Sequence, residues 1–256
     1  MENALLVGLS RQVALSRELD VVANNIANIN TNGFKADGAL FEEYLSNGAR
    51  TNALSGADSR VSFVRDRGTW HDMSKGPVEQ TGNPLDVAIN GDGFFVVQTP
   101  RGERYTRSGA LQIDAKGTLV TSEGFPVMGG SGPITLQASD RDIYISKDGA
   151  ISVHEGKSIQ DSLRGNLKIV RFQQKDEERL RKDSGGSFMA PNGVTPEADS
   201  KSRVVQGALE KSNVRGVVEI ARMIEITRSY TQVATMLQQQ GDLRSNAINK
   251  LADVPA

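Results

Sequence analysis

The chain has 256 residues and no cysteine, so it is long enough to bury a core without disulfides, and thiol nucleophiles and cysteine-ligated metal sites are excluded. Its 30 Lys and Arg nearly balance 31 Asp and Glu, which leaves no basic field for nucleic acid or anionic lipid. No apolar run reaches the roughly 18 residues of a membrane span, because Arg11, Arg17, Glu18 and Asp20 interrupt the first segment and Arg222, Glu225 and Arg228 the last.

From Asn3 to Ile29 the residues Leu5, Leu15, Leu19, Val22, Ile26 and Ile29 fall on alternating three- and four-residue steps, with Gly8 and Gln12 on the missing steps. This heptad-like seam predicts an amphipathic helix about 40 Å long at 1.5 Å per residue. Leu6, Leu9 and Val13 add a stripe on a neighbouring face, so the helix can meet more than one partner. Asn24, Asn25 and Asn28 are mediocre helix formers near its end. They fit either register-fixing hydrogen bonds in an assembly or helix termination, since Asn30, Asn32 and Gly33 follow. The opening lacks a basic stretch before an uninterrupted apolar one and does not read as a cleavable secretory signal.

Residues 36–75, with Gly38, Gly48, Gly56 and Gly68 and a short apolar patch at Val61 to Val64, read as an extended linker holding at most one short strand. Residues 76–203 read as a mostly β domain. Runs such as Phe94-Phe95-Val96-Val97 and Thr118-Leu119-Val120-Thr121 alternate there with the turn pairs Asn90-Gly91, Asp92-Gly93, Lys116-Gly117 and Asp148-Gly149. From Val204 the chain reads as a second helical segment, residues 204–256. One register holds Ile220, Met223, Thr227, Tyr230, Ala234 and Leu237, another Ile226, Val233, Met236 and Leu243.

The expected fold is therefore α+β: a mostly β centre, and long N- and C-terminal amphipathic helices (1–35 and 204–256) that pair in a coiled-coil-like terminal domain. Such seams suit a polymer subunit, while helices simply lying across the β domain suit an ordinary α+β fold; periodicity does not choose between them. The expected assembly-interface residues are Leu5, Leu9, Leu15, Leu19, Val22, Asn25, Ile26, Asn28, Ile29, Ile220, Met223, Tyr230, Val233 and Leu237.

No catalytic, cofactor or metal site can be assembled. Gly156-Lys157-Ser158 resembles the end of a phosphate loop, but Ile151 stands where the leading glycine belongs. Gly91 and Gly93 lack the third glycine of a dinucleotide fingerprint, whose place Val96 takes. His71 and His154 have no ligand spacing, and Asp140-x-Asp142 lacks the glycine and terminal acid of a calcium loop, with Ile145 and Ile151 in those places. Ser108-Gly109 is no nucleophile elbow.

The run from Leu19 through Asn24-Asn25-Ile26-Ala27-Asn28-Ile29-Asn30-Thr31-Asn32-Gly33-Phe34-Lys35 resembles the N-terminal signature of flagellar rod and hook proteins. Asp92-Gly93-Phe94-Phe95, Tyr105-Thr106-Arg107-Ser108-Gly109, Gly117-Thr118-Leu119-Val120-Thr121 and Gly207-Ala208-Leu209-Glu210-Lys211-Ser212-Asn213-Val214 are similar to further segments of the same family. The short length is unlike the hook subunit, and the opening Met1 to Leu9 is more similar to the proximal, F-type branch than to distal rod subunits. Ser108 departs from the aspartate that distal-rod-like members tend to carry there.

The resemblance implies a non-enzymatic structural subunit of the basal-body rod in the periplasm, exported through the flagellum's own type III apparatus without a cleaved signal. It implies terminal helices forming the inner tube around the export channel of the drive shaft, with the β domain outside. The implied partners are proximal and distal rod proteins, copies of the chain itself and the export apparatus, with no cofactor, nucleic acid or small-molecule substrate. The competing readings are a distal rod subunit of the same family, a monomeric periplasmic binding module, and an enzyme of unknown type.

Overall fold

The computed structural model describes residues 2–47, 60–156, 161–183 and 185–252. The fold is α+β, with an N-terminal helix, a middle made mostly of strands and a C-terminal helix. The chain divides into two compact units: a helical unit of residues 1–27, 37–72 and 215–256, and a central unit of residues 28–36 and 73–214.

In the helical unit, the N-terminal helix (Glu2–Ala27) and the C-terminal helix (Gly216–Ala252) run antiparallel. Glu18 meets Arg222, Gln12 meets Tyr230 and Gly8 faces Leu237, so numbers rise along one helix as they fall along the other. The segment expected to be a loop-like linker is instead a ribbon in which Asp37–Asn47 pairs antiparallel with Arg60–His71 and Tyr44 lies opposite Phe63. The register shifts between Leu40 and Phe41. That bulge breaks the two-residue alternation by which a strand announces itself, which is why the glycine-marked sequence looked irregular. Gly48 and Gly56 of the expected linker lie outside the described residues.

In the central unit, a six-stranded sheet runs in the order Arg181–Lys182, Phe188–Met189, Gly102–Thr106, Phe94–Thr99, Ile169–Arg171, Glu197–Ala198, with every neighbour antiparallel. Alternate side chains of a strand point to opposite faces, and both faces of Phe94–Thr99 are covered. Phe95 and Val97 enter a core with Val87, Leu111, Leu119 and Ile151, while Phe94 and Val96 enter a second core with Tyr105, Phe172 and Phe188. This explains an apolar run with no polar alternation. A three-stranded sheet (Asp140–Ile145, Ala150–Glu155, Asp161–Asn166) adds Ile145 and Val153 to the first core. In the Lys116-Gly117 turn, Gly117 has φ +83°, and a Cβ there would lie 2.1 Å from the Leu136 carbonyl oxygen, so only glycine fits.

The boundaries expected at 35/36 and 203/204 move. The N-terminal helix stops at Ala27, and residues 28–36 belong to the central unit. Val204 sits in Arg203–Gln206, paired with Val87–Asn90, and Ala208–Glu210 pairs with Val78–Gln80, so the β unit closes at Val214. The polar stretch Gln173 to Lys182 holds one helical turn, Gln174–Glu177, and one sheet strand, Arg181–Lys182.

Candidate assembly interface

Three faces of the N-terminal helix do different work. The seam face packs on the C-terminal helix around Leu15, Val22 and Ile226, with Leu19, Ile26, Met223, Tyr230 and Val233 against them. The two gaps in the seam have physical causes. A Cβ on Gly8 would stand 2.6 Å from Leu237 Cδ2, so glycine makes the hole that Leu237 fills, and Gln12 Nε2 donates to Tyr230 Oη at 3.0 Å. The second face meets the ribbon: Ser10 Oγ accepts from Val64 N, and Arg17 donates to Thr69 Oγ1 and bridges Asp66 at 3.4 Å. The third face, Leu6, Leu9 and Val13, is exposed and borders a groove completed by Tyr44, Phe63 and Val64 of the ribbon.

On the C-terminal helix the inward residues are Met223, Ile226, Tyr230, Val233 and Leu237, alternating three- and four-residue steps. They draw on both expected registers. Ile220, Ile224 and Met236 are exposed, and so is Thr227 of the first register. The hydroxyls of Thr227, Thr231 and Thr235 each donate to the carbonyl four residues earlier, so a stripe of threonine satisfies itself on the open side.

The fourteen expected interface residues therefore divide. Leu15, Leu19, Val22, Ile26, Met223, Tyr230, Val233 and Leu237 are engaged within the chain. Leu9 and Ile220 are exposed, Leu5 is half-buried, and Asn28 and Ile29 are half-buried residues of the central unit. Asn25 serves the chain itself. It is 1% exposed, its Nδ2 donates to Asp37 O and its Oδ1 accepts from Asp37 N, both at 2.8 Å, pinning the first residue of the ribbon. His71 Nδ1, at the far end of the ribbon's other strand, lies 2.7 Å from Asp37 Oδ1.

Sequence reasoning missed an ionic cluster inside the central unit. Glu210 receives Lys35 Nζ at 2.6 Å on Oε1 and Arg107 Nη1 at 3.5 Å on Oε2, and it also accepts from Gly76 N at 3.1 Å. All three side chains are at most 2% exposed. Lys35 also donates to Ser74 O, and Arg107 donates to Gly91 O and lies 5.0 Å from the Phe94 ring centre. Burial pushes the Arg107 guanidinium below its ordinary pKa, opposed by the charges of Glu210 and Asp92. Burial likewise pushes the nearby Glu177 carboxyl up, as does Asp92. The available signal was charge inside otherwise apolar or glycine-rich signature segments: each member of the triad ends or interrupts one of the segments that carried the family resemblance.

His154 lies between Asp142 and Asp161, one carboxylate at each ring nitrogen, so the three do not converge on a point. Among the described residues no group of three His, Asp or Glu is placed to hold a metal ion. Gly156 ends a turn with φ +60°, while Lys157 and Ser158 lie outside the described residues.

Two paired helices with further apolar stripes, joined in sequence to a β unit built around structural cores, define a structural assembly protein. Residues 5–35 match the family described as "Flagella basal body rod protein", residues 88–153 "Flagellar hook protein FlgE/F/G D1 domain", and residues 205–250 "Flagellar basal body rod FlgEFG protein C-terminal". The flagellar basal-body rod protein FlgF of Caulobacter vibrioides is 40% identical over 99% of this chain and 100% of its own. FlgF of Mesorhizobium japonicum is 34% identical over 98% of each, and FlgG of Bacillus subtilis 30% identical over 97% of this chain and 99% of its own. The chain belongs to the flagellar basal-body rod protein family, as an FlgF-like structural subunit rather than an enzyme.

Proposed function

We propose that the chain polymerises through its terminal helices, paired in coiled-coil fashion, to build part of the drive shaft and the wall of its export channel. It reaches the periplasm through the flagellum's own type III apparatus without a cleaved signal and sits on the proximal side of the rod, contacting copies of itself and different subunits above and below. The observation that carries this reading is that each terminal helix keeps a second apolar stripe after burying its first: Leu6, Leu9 and Val13 on one, Val217, Ile220 and Ile224 on the other. Full burial of one such side chain contributes about 1.5–3 kcal/mol, so these stripes favour contact with neighbours. A subunit between unlike neighbours needs non-identical contact stripes, and the two open faces differ in composition.

Photoreactive residues placed at Leu9 and Ile224 in intact basal bodies test it. Products joining this chain to different rod subunits are expected. An extended series containing this chain alone would establish a self-polymerising distal subunit instead, and basal bodies that hold the chain but give no product would overturn helix-mediated assembly.

A further inference from the structure

Inside the central unit lies a cavity of about 240 Å³, walled among others by Asn32, Val97, Thr121, Glu123, Phe125 and Ser187. It is smaller than the roughly 300–1,000 Å³ that holds a drug-sized ligand, so it suits one small group or one side chain. No Lys or Arg lines it, which disfavours an anion.

The walls are chemically incomplete. Ser187 is 6% exposed, and its hydroxyl, bordering the cavity, makes no hydrogen bond among the described residues. Asn32 Oδ1 is buried in the same wall without a partner. Buried polar groups are normally paired, so two in one wall call for a donor from the cavity side. Glu123 stands at the mouth on a turn fixed by hydrogen bonds from Gly124 N to Thr121 O and from Phe125 N to Thr121 Oγ1. Its carboxylate lies against Gly185, where a Cβ would collide with it. Among the described residues no cation pairs with Glu123. The charge that reaches it is that of Asp183, which Arg104 holds at 3.2 Å and Arg101 at 3.7 Å. Desolvation and this like charge push the Glu123 carboxyl above its ordinary pKa, so the mouth is short of one positive charge.

A calcium ion fits poorly, because it takes six to eight oxygen ligands and the neighbouring carboxylate is already held by arginine. Val97 and Phe125 would also offer an ion nothing. An ammonium on an alkyl stem uses every wall, since such a stem buries along apolar surface while its charged head finds polar partners.

We infer that the cavity binds a primary ammonium group on a short alkyl chain, with Glu123 as counter-ion and Val97 and Phe125 against the stem. Its N–H groups donate to the Glu123 carboxylate, to Ser187 Oγ and, after a small turn of the side-chain amide, to Asn32 Oδ1. A free alkylamine and a lysine of a neighbouring subunit present the same chemistry. The site lies wholly in the central unit and does not rest on assembly through the terminal helices.

Titration of the purified full-length chain with n-butylammonium chloride, read by NMR of the backbone amides, tests this, with n-butanol and calcium chloride as controls. Saturable shifts at Asn32, Glu123 and Ser187 are expected with butylammonium alone. Glu123→Gln is expected to weaken binding about tenfold or more, and Ser187→Ala to weaken it less. Both variants should melt like the parent, because neither side chain holds a partner within the chain. No saturable shift, equal shifts with butanol, a response to calcium alone, or undiminished binding to Glu123→Gln would each overturn the site. Carbodiimide coupling in intact basal bodies separates the sources. An amide joining Glu123 to a lysine of another subunit assigns the ammonium to a partner, and butylammonium binding without that product assigns it to a free amine.

Discussion

Lys35 and Glu210, 175 residues apart in sequence, meet at 2.6 Å in the interior of the central unit with each side chain 1% exposed. Burying either charge alone is costly, and Arg107 brings a second cation to the same carboxylate, with its Nε left without a partner. Glu210→Gln strands both cations. It is expected to destabilise the central unit by about 3–5 kcal/mol in denaturant unfolding, with Lys35→Met in the same chain recovering part of the loss. Additive losses in that double-mutant cycle would show that the pair is not coupled.

Asn25 closes a two-bond clasp on the backbone of Asp37. Asn25→Ala leaves the Asp37 N–H and carbonyl without those partners, at an expected cost of about 1–3 kcal/mol. Amide exchange should quicken first at the Asp37 end of the ribbon, ahead of the helix pair. Uniform acceleration through the whole unit would show that the clasp is no local device.

Gly8 faces Leu237 at a distance that leaves no room for a side chain. Gly8→Leu overpacks the helix pair and is expected to lower its stability by about 1–3 kcal/mol, with Leu237→Ala restoring much of the loss. A thermal melt of the two single variants and the double variant reads this directly. A Gly8→Leu chain as stable as the parent would contradict the close approach of the helices.

The Arg164 guanidinium forks the Asp140 carboxylate at 2.6 and 2.8 Å and, with the Gln137 backbone N–H, holds its pKa below the ordinary value. A depressed folded-state pKa contributes stability that is present above the unfolded value, about 3.9, and is lost as pH falls through the folded one. Asp140→Asn is therefore expected to flatten the acid limb of the stability profile below about pH 4 and to leave its slope near neutrality unchanged. An unchanged acid limb would remove this pair from the linkage.

The sequence made the helix seam legible down to its exceptions, because Gly8 and Gln12 fall on seam positions and the partner helix supplies Leu237 and Tyr230 to match them. Phe94 to Val97 was equally legible as strand, since a run buried on both faces needs no polar alternation. The ribbon was not legible: a bulge at Leu40/Phe41 interrupts its period. Asn25 was visible as an anomaly, but its partner Asp37 lies past the helix end, so a role in assembly and a role within the chain looked alike. The Lys35–Arg107–Glu210 cluster was hidden for another reason: Arg107 and Glu210 are 103 residues apart, and only the β topology brings them together.

The account's central claim is that the stripe left open on the N-terminal helix makes contact with neighbouring subunits, whereas the buried seam holds the chain's own helices together. Leu9→Asp places a carboxylate on an exposed position and Val22→Asp places one in the helix–helix core, where an unpaired charge is costly. The direct measurement is incorporation of Leu9→Asp into basal bodies, with the melting temperature of the purified variant recorded beside it and Val22→Asp as the variant that loses its fold. The account predicts a Leu9→Asp chain that melts like the parent yet is missing from the rod, in cells that do not swim. A Leu9→Asp chain incorporated at the parent's level, in cells that swim normally, would contradict it.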